Sequence, residues 1–360
     1  MSSLAVNTIT DANGAANTVI NGVIPTTNTI VGRNRIINGG MVIDQRNAGA
    51  SVNTSGQYPV DRFVVSNAVT SWTAQRSTVA PVGFTNSFLY TSVTGGSAGS
   101  TDRFIIRHRI EGFNWADLMW GTASAQSVTL SFKVRSSLTG TFSGSLRNSA
   151  EDRSYPFSFT INAANTYEDK TITIAGDTTG TWETGNGTAV QLSFDMGSGT
   201  SKRTTAGAWV AGDYVGVTSA VSVSATTGAT FYITGVQLEK GSTATSFEYR
   251  SYGTELQLCQ RYYWKTFDGT NYSSGSPLVN AITGSTTRIA IPITQVPMRT
   301  TPAVTVYNSA GSSGNLTEFS SASTRAVSGV YPASTIGGGY CDIASLSNPV
   351  IWTATYSAEL

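Results

Sequence analysis

Strict two-residue alternation, restarted again and again between short turns, is the feature that most limits what this chain can become. Val128-Thr129-Leu130-Ser131-Phe132-Lys133-Val134 sets Val128, Leu130, Phe132 and Val134 on one face and polar groups on the other. Successive side chains of a strand point to opposite sides, so this spacing predicts a half-buried strand and excludes a helix. Phe104, Ile106, His108 and Ile110 repeat it, as do Phe157, Phe159 and Ile161. Val190, Leu192 and Phe194 follow, then Val221 and Val223, then Phe231, Ile233, Val236 and Leu238. Turns rich in Gly, Asn and Ser separate the runs, at Leu138 to Thr141, Gly176 to Gly180 and Gly197 to Gly199. Several one-sided strands close into a core most readily as two packed sheets, and about eight to ten strands suit a jelly roll.

The pattern divides the 360 residues into three. Residues 1–35 hold two β-branched runs, each ending in Asn-Gly (Asn13-Gly14 and Asn21-Gly22), which predicts short hairpins. Two hairpins alone bury no face, so this segment must pack on something else. Residues 36–250 form the predicted jelly-roll β-sandwich. Residues 251–360 begin with the one persuasive helix, SYGTELQLCQRYY, with Leu256, Cys259 and Tyr263 on one side and Thr254 as capping hydroxyl. They continue as a smaller β domain with Ile289, Ile291 and Ile293, then Ala303 to Val306, and a last strand over Val350 to Tyr356. The expected fold class is therefore all-β.

Composition removes whole classes of function. Charged residues make up 12%, with five Lys and a net charge of +1, against binding nucleic acid through a basic face. Ser and Thr number 97, while 39% of residues are hydrophobic, too many for a disordered chain. The N-terminus lacks the basic and apolar regions of a secretory signal, and no run of 18 apolar residues occurs, so no membrane insertion is expected. A single histidine, His108, rules out a His-rich metal site, and it reads as a core residue. Cys259 and Cys341 read as two buried thiols, with a disulfide as the alternative. The dipeptides Glu151-Asp152 and Glu168-Asp169, with Asp213, read as turn carboxylates, because neighbours on a strand face opposite ways and cannot flank one sugar. No catalytic motif is present and no cofactor is expected; a structural calcium has no Asp-rich loop to mark it.

Aromatic residues are the better lead to function. Of seven Trp, Trp115 and Trp120 lie in NWADLMWG, Trp182 follows the GDTTGT turn and Trp209 lies in TTAGAWVAGDY. Exposed rings stack on the apolar faces of sugars, so Trp115, Trp120, Trp182 and Trp209 are the candidate carbohydrate-binding residues. Core packing is the leading expectation for any one Trp, with Trp115 and Trp182 the exceptions because of their loop contexts.

Three stretches occur together: GRNRIINGGMVIDQRNAGASVNTSGQYPVDRF (32–63), RIEGFNWADLMWGTASAQSVTLSFKVRSSLTGTFSGSLRN (109–148) and YITGVQLEKGSTATSFEYRSYGTELQLCQRYYW (232–264). In this the chain resembles a family of tailed-phage fibre and spike proteins of marine bacterial and cyanobacterial viruses, whose central domain is similar to family-4-type carbohydrate-binding modules. The resemblance implies a jelly roll, location on the virion surface, and binding of host surface polysaccharide without cleavage. It also implies a homotrimer attached to other virion proteins through residues 1–35. Asp44 with Arg46, and Asp61 with Arg62, are expected as structural pairs fixing the first strand; Gln237 and Glu239 are expected to hold a sheet edge, and Glu248-Tyr249-Arg250 to end the domain. A capsid-decorating or head-fibre protein is the alternative role, and a polysaccharide depolymerase the third.

Overall fold

The computed structural model describes residues 32–68, 71–267, 278–280, 288–290, 294, 296–318, 323–332, 334–335, 339–343 and 350–360. The hairpins expected before residue 32, and Ile291 and Ile293, lie outside the described residues.

The alternating runs pair into two antiparallel sheets. One has six strands in the order β1 (Phe63–Asn67), β4 (Phe104–Glu111), β9 (Thr188–Asp195), β6 (Gly140–Asn148), β7 (Arg153–Ile161) and β11 (Val210–Ala211). The other has five, in the order β2 (Trp72–Ser77), β3 (Ser87–Ser92), β13 (Thr230–Lys240), β5 (Val128–Ser136) and β8 (Glu168–Ile174). A short parallel pair, β10 (Arg203–Thr204) and β12 (Gly216–Val217), forms a ladder of its own. The chain is all-β with a β-sandwich at its centre. Ile106 pairs with Phe194 and His108 with Leu192, so the apolar faces coincide across strands. Phe132 of the facing sheet meets Phe159 and Phe194 at 5.0 and 5.1 Å between ring centres. A slip of one residue would turn each of these rings outward, which fixes the register. Val221 and Val223 join this core from a loop rather than from a strand.

Helix α1 (Tyr252–Gln260) follows the sandwich. Its cap is Ser251, whose hydroxyl accepts the Thr254 N–H at 3.4 Å; Thr254 lies within the first turn and is not the cap. Cys259 and Tyr262, rather than Tyr263, pack with Ile37 and Ile43 into a small separate core. The remaining strands are β14 (Tyr263–Lys265), β15 (Leu278–Asn280), β16 (Arg288–Ala290), β17 (Ala303–Tyr307), β18 (Asn315–Glu318), β19 (Thr324–Pro332), β20 (Gly339–Ile343) and β21 (Val350–Ser357). They surround a core that includes Trp264, Leu316, Cys341, Trp352 and Tyr356. Cys259 and Cys341 are buried, unbonded thiols in different cores.

The residues expected as pairs at the first strand are scaffold, with other partners. Asp44 does not bind the Arg46 side chain; it accepts the backbone N–H of Asn47 at 2.8 Å and Gly49 at 2.7 Å and so closes its own turn. Arg46 reaches Asp61 at 3.3 Å and Glu359 at 2.7 Å and lies 3.7 Å from the Tyr263 ring centre. Arg62 turns away from Asp61, pairs with Glu359, donates to the Arg109 carbonyl at 2.8 Å and covers the Tyr262 ring at 3.5 Å. At Asp61 and Arg62 adjacent side chains diverge, so each pairs with a residue other than its neighbour. The C-terminal residues thereby become the fastener between the sandwich and the smaller β unit. Gln237 and Glu239 are not on an edge either, because β13 is the central strand of its sheet.

Candidate functional site

The site is assembled at a break in that central strand. The register of β13 against β5 shifts between Thr234 and Gln237, a β-bulge. Gly235 takes a φ of 61° there, and a Cβ at this position would lie 2.8 Å from Cζ of Phe84. Only glycine leaves both the backbone turn and the space for that ring. Past the strand the chain folds back across the outer face. Glu239 accepts the Thr245 N–H at 2.8 Å, and Gln237 accepts the Glu248 N–H at 2.8 Å and donates to the Ser246 carbonyl at 3.2 Å. These two residues hold a crossing segment, which is why they are buried though they point outward from the core.

Fixing Thr245 to Glu248 sends Phe247 and Tyr249 to the same side as Phe84. Ring centres are 5.1 Å apart for Phe84 and Phe247, 5.5 Å for Phe84 and Tyr249, and 5.0 Å for Phe247 and Tyr249. Tyr249 is 64% exposed, yet its hydroxyl donates to the Gly83 carbonyl at 3.0 Å and so is anchored. Two hollows flank the rings. One of about 220 Å³ is lined by Gly40, Val42, Gly83, Phe84, Phe247 and Tyr249 among others. The other, of about 240 Å³, has Ser131, Lys133, Asp169, Lys170, Thr171 and Thr245 in its walls. A larger hollow of about 480 Å³ also borders Tyr249, beside Asn34, Arg35 and Thr254.

Charge in the second hollow is matched. Lys133 pairs with Asp169 at 2.5 Å and Lys170 with Glu168 at 2.7 Å. The Lys170 hydrogen bond, with the N–H groups of Ala163 and Asn162, holds the Glu168 carboxyl down at about 2. The arrangement offers ring faces, hydroxyls and neutralised charge, which suits a polar, uncharged ligand with one apolar face. Among the described residues no group of three or more His, Cys, Asp or Glu is placed to hold a metal ion.

The four tryptophans expected at the site are brought together elsewhere, and mostly buried. Trp120 contacts Trp115 and Trp182 at 4.7 Å each and Trp209 at 5.1 Å, all edge to face. Trp115, Trp120 and Trp182 are 1%, 6% and 8% exposed, and Trp209 is half-buried against Tyr155. The loop over residues 112–127 folds against the sandwich rather than standing beside it, so Trp115 and Trp182 are core and present no face to a sugar. The indole N–H groups of Trp120, Trp182 and Trp209 are spent on the carbonyls of Gln126, Thr179 and Ala175. Phe84, Phe247 and Tyr249 were missed because none lies in an alternating run. The visible signal was FEY, two aromatic residues flanking a charge outside any strand.

No family model matches the chain, and no curated protein does. Solved structures similar to it include the enzymatically active domain of bacteriophage CBA120 tailspike protein 4, at 12% identity and a TM-score of 0.29, over 58% of this chain and 21% of that one. A family-4 carbohydrate-binding module is similar at 15% identity and a TM-score of 0.29, over 57% of this chain and 98% of that one. The family 11 carbohydrate-binding module of a cellulosomal cellulase of Clostridium thermocellum is similar at 12% identity and 0.27, over 54% and 98%. The chain thus spans about a fifth of the tailspike chain.

Proposed function

We propose that this chain is a phage virion protein of the tail fibre or spike type that holds host cell-surface glycan on the rings of Phe84, Phe247 and Tyr249 and does not cleave it. The observation that carries the glycan reading is the exposed, anchored Tyr249 ring packed with the half-buried Phe84 and Phe247 beside a charge-matched hollow. The virion role rests on the three sequence stretches quoted above, and with it come a homotrimer and attachment through residues 1–35. A single ring contact is weak, about 1 kcal/mol, so adhesion would come from many copies on one particle.

The test is a glycan array probed with the full chain and with Tyr249→Ala and Phe247→Ala. Each substitution is expected to weaken binding about tenfold, equal to about 1.4 kcal/mol, and the exposed Tyr249→Ala to do so without lowering the melting temperature of the sandwich. Unchanged binding in both variants would remove this site. Incubation with the bound polysaccharide should release no new reducing ends, and release would make the chain a depolymerase. Electron microscopy of labelled particles separates a tail fibre from a head decoration.

A further inference from the structure

The outer face of the six-stranded sheet carries a second group of side chains that the aromatic site does not use. Across the sheet Arg107 lies opposite Ser193 and Ser193 opposite Ser145; one step along, Arg109 lies opposite Gln191 and Gln191 opposite Arg147. Glu151, from the turn between β6 and β7, and Asp213 are set against this floor. Arg103 meets Glu151 at 2.7 Å and also pairs with Asp213. Arg147 meets Glu151 at 3.2 Å and Asp213 at 2.5 Å, and Lys202 meets Asp213 at 2.6 Å. Among the described residues Arg107 has only Glu151 at 3.9 Å and the Gln191 amide oxygen at 3.3 Å. Among the described residues, Arg103, Arg107, Arg147 and Lys202 therefore share the two carboxylates of Glu151 and Asp213.

That surplus is partly out of water. The Arg147 side chain is fully buried and that of Arg107 is 12% exposed, whereas Arg103 is open at 30%. Among the described residues the Nε atoms of Arg103, Arg107 and Arg147 and the hydroxyls of Ser145 and Ser193 have no hydrogen-bond partner within the protein. Burial, with Arg109 and Arg147 nearby, lowers the Arg107 pKa to about 10. Glu151 is held in the left-handed region at a φ of 57°, a cost of about 1 kcal/mol for a residue with a Cβ. A purely structural network would match its charges, because an uncompensated buried cation is costly. This one is short of acceptors and rich in donors.

We propose that the cluster is a binding site for an anion with several oxygens, the carboxylate or sulfate of an acidic saccharide or the same oxyanion free in solution, seated on Arg103 and Arg107 with Arg147 behind them. Guanidinium groups take such oxygens in pairs, and the ligand would supply the missing negative charge. Glu151 competes for the same donors.

Calorimetric titration of the full chain with oligogalacturonate, its methyl ester and sodium sulfate tests this. Oligogalacturonate should bind, and the methyl ester should bind at least tenfold more weakly. Arg107→Gln and Arg103→Gln should each weaken oligogalacturonate about tenfold, while Glu151→Gln should tighten it several-fold, a gain that damage to the fold would not produce. Sulfate binding that Arg107→Gln also weakens supports the site and makes the free oxyanion its source; sulfate silent while oligogalacturonate binds makes the saccharide the source. Tyr249→Ala should leave the acidic ligand untouched, so this site and the aromatic one stand or fall separately. Equal affinity for acid and ester, no heat with either anion, or affinity indifferent to both arginine substitutions would overturn the proposal.

Discussion

His108 shows how one residue couples the core to pH. It faces inward from β4, 5.0 Å from the Phe63 ring, with Nε2 at 3.3 Å from the Ile37 N–H. Burial, and then the Arg62 charge, push its pKa well below 6.5. The unfolded chain takes up this proton near pH 6.5 and the folded chain does not, so stability is present above 6.5 and is lost as pH falls below it. One proton is worth at most about 1.4 kcal/mol per pH unit. Urea unfolding between pH 7 and pH 5 should show this fall in the natural protein and a flatter profile in His108→Gln; equal slopes would refute it. The core placement of His108 was legible from alternation with Ile106 and Ile110. The fates of Trp115 and Trp182 were not, since no local pattern says whether a loop lies on a core or beside it.

At the scale of elements, the bulge in β13 matters more than the strand that contains it. Gly235 gives Phe84 its space, and Gln237 and Glu239 beyond the bulge hold the segment that carries Phe247 and Tyr249. Gly235→Ala should cost about 1–2 kcal/mol from its positive φ and displace the Phe84 ring. Glycan binding should fall with it, while Gly96→Ala, at an ordinary φ and with no atom within 4 Å of the added Cβ, should spare binding. Chemical denaturation and the same array read both effects, and retained binding in Gly235→Ala would show that the ring does not depend on the bulge. The sequence expectation of an edge at Gln237 and Glu239 failed because strand order is set by pairings between distant segments. The final sandwich strand in the chain lies in the middle of its sheet.

For the whole molecule, the decisive contacts are those of the last residues. Glu359 lies between Arg46 and Arg62, the Leu360 carbonyl accepts from Arg109, and Arg299 donates to the Ala358 carbonyl at 3.0 Å and the Asn186 carbonyl at 2.8 Å. Glu359→Ala would leave two largely buried guanidinium groups without their shared carboxylate, a loss of about 3–5 kcal/mol. The expected result is earlier unfolding in urea, with faster proteolysis of the smaller β unit. Unchanged unfolding would mean that the Glu359 carboxylate does not hold the two units together.

The sequence by itself determined the all-β class, the inward residues of the alternating strands and the burial of both thiols, because these follow from period-two geometry and side-chain chemistry within a few residues. Only the tertiary structure decided which aromatic rings meet solvent and which arginines lack enough carboxylates. Phe84 and Tyr249, like Arg103 and Asp213, come from distant parts of the chain, and their meeting depends on strand order and on where loops come to rest, which no local spacing encodes.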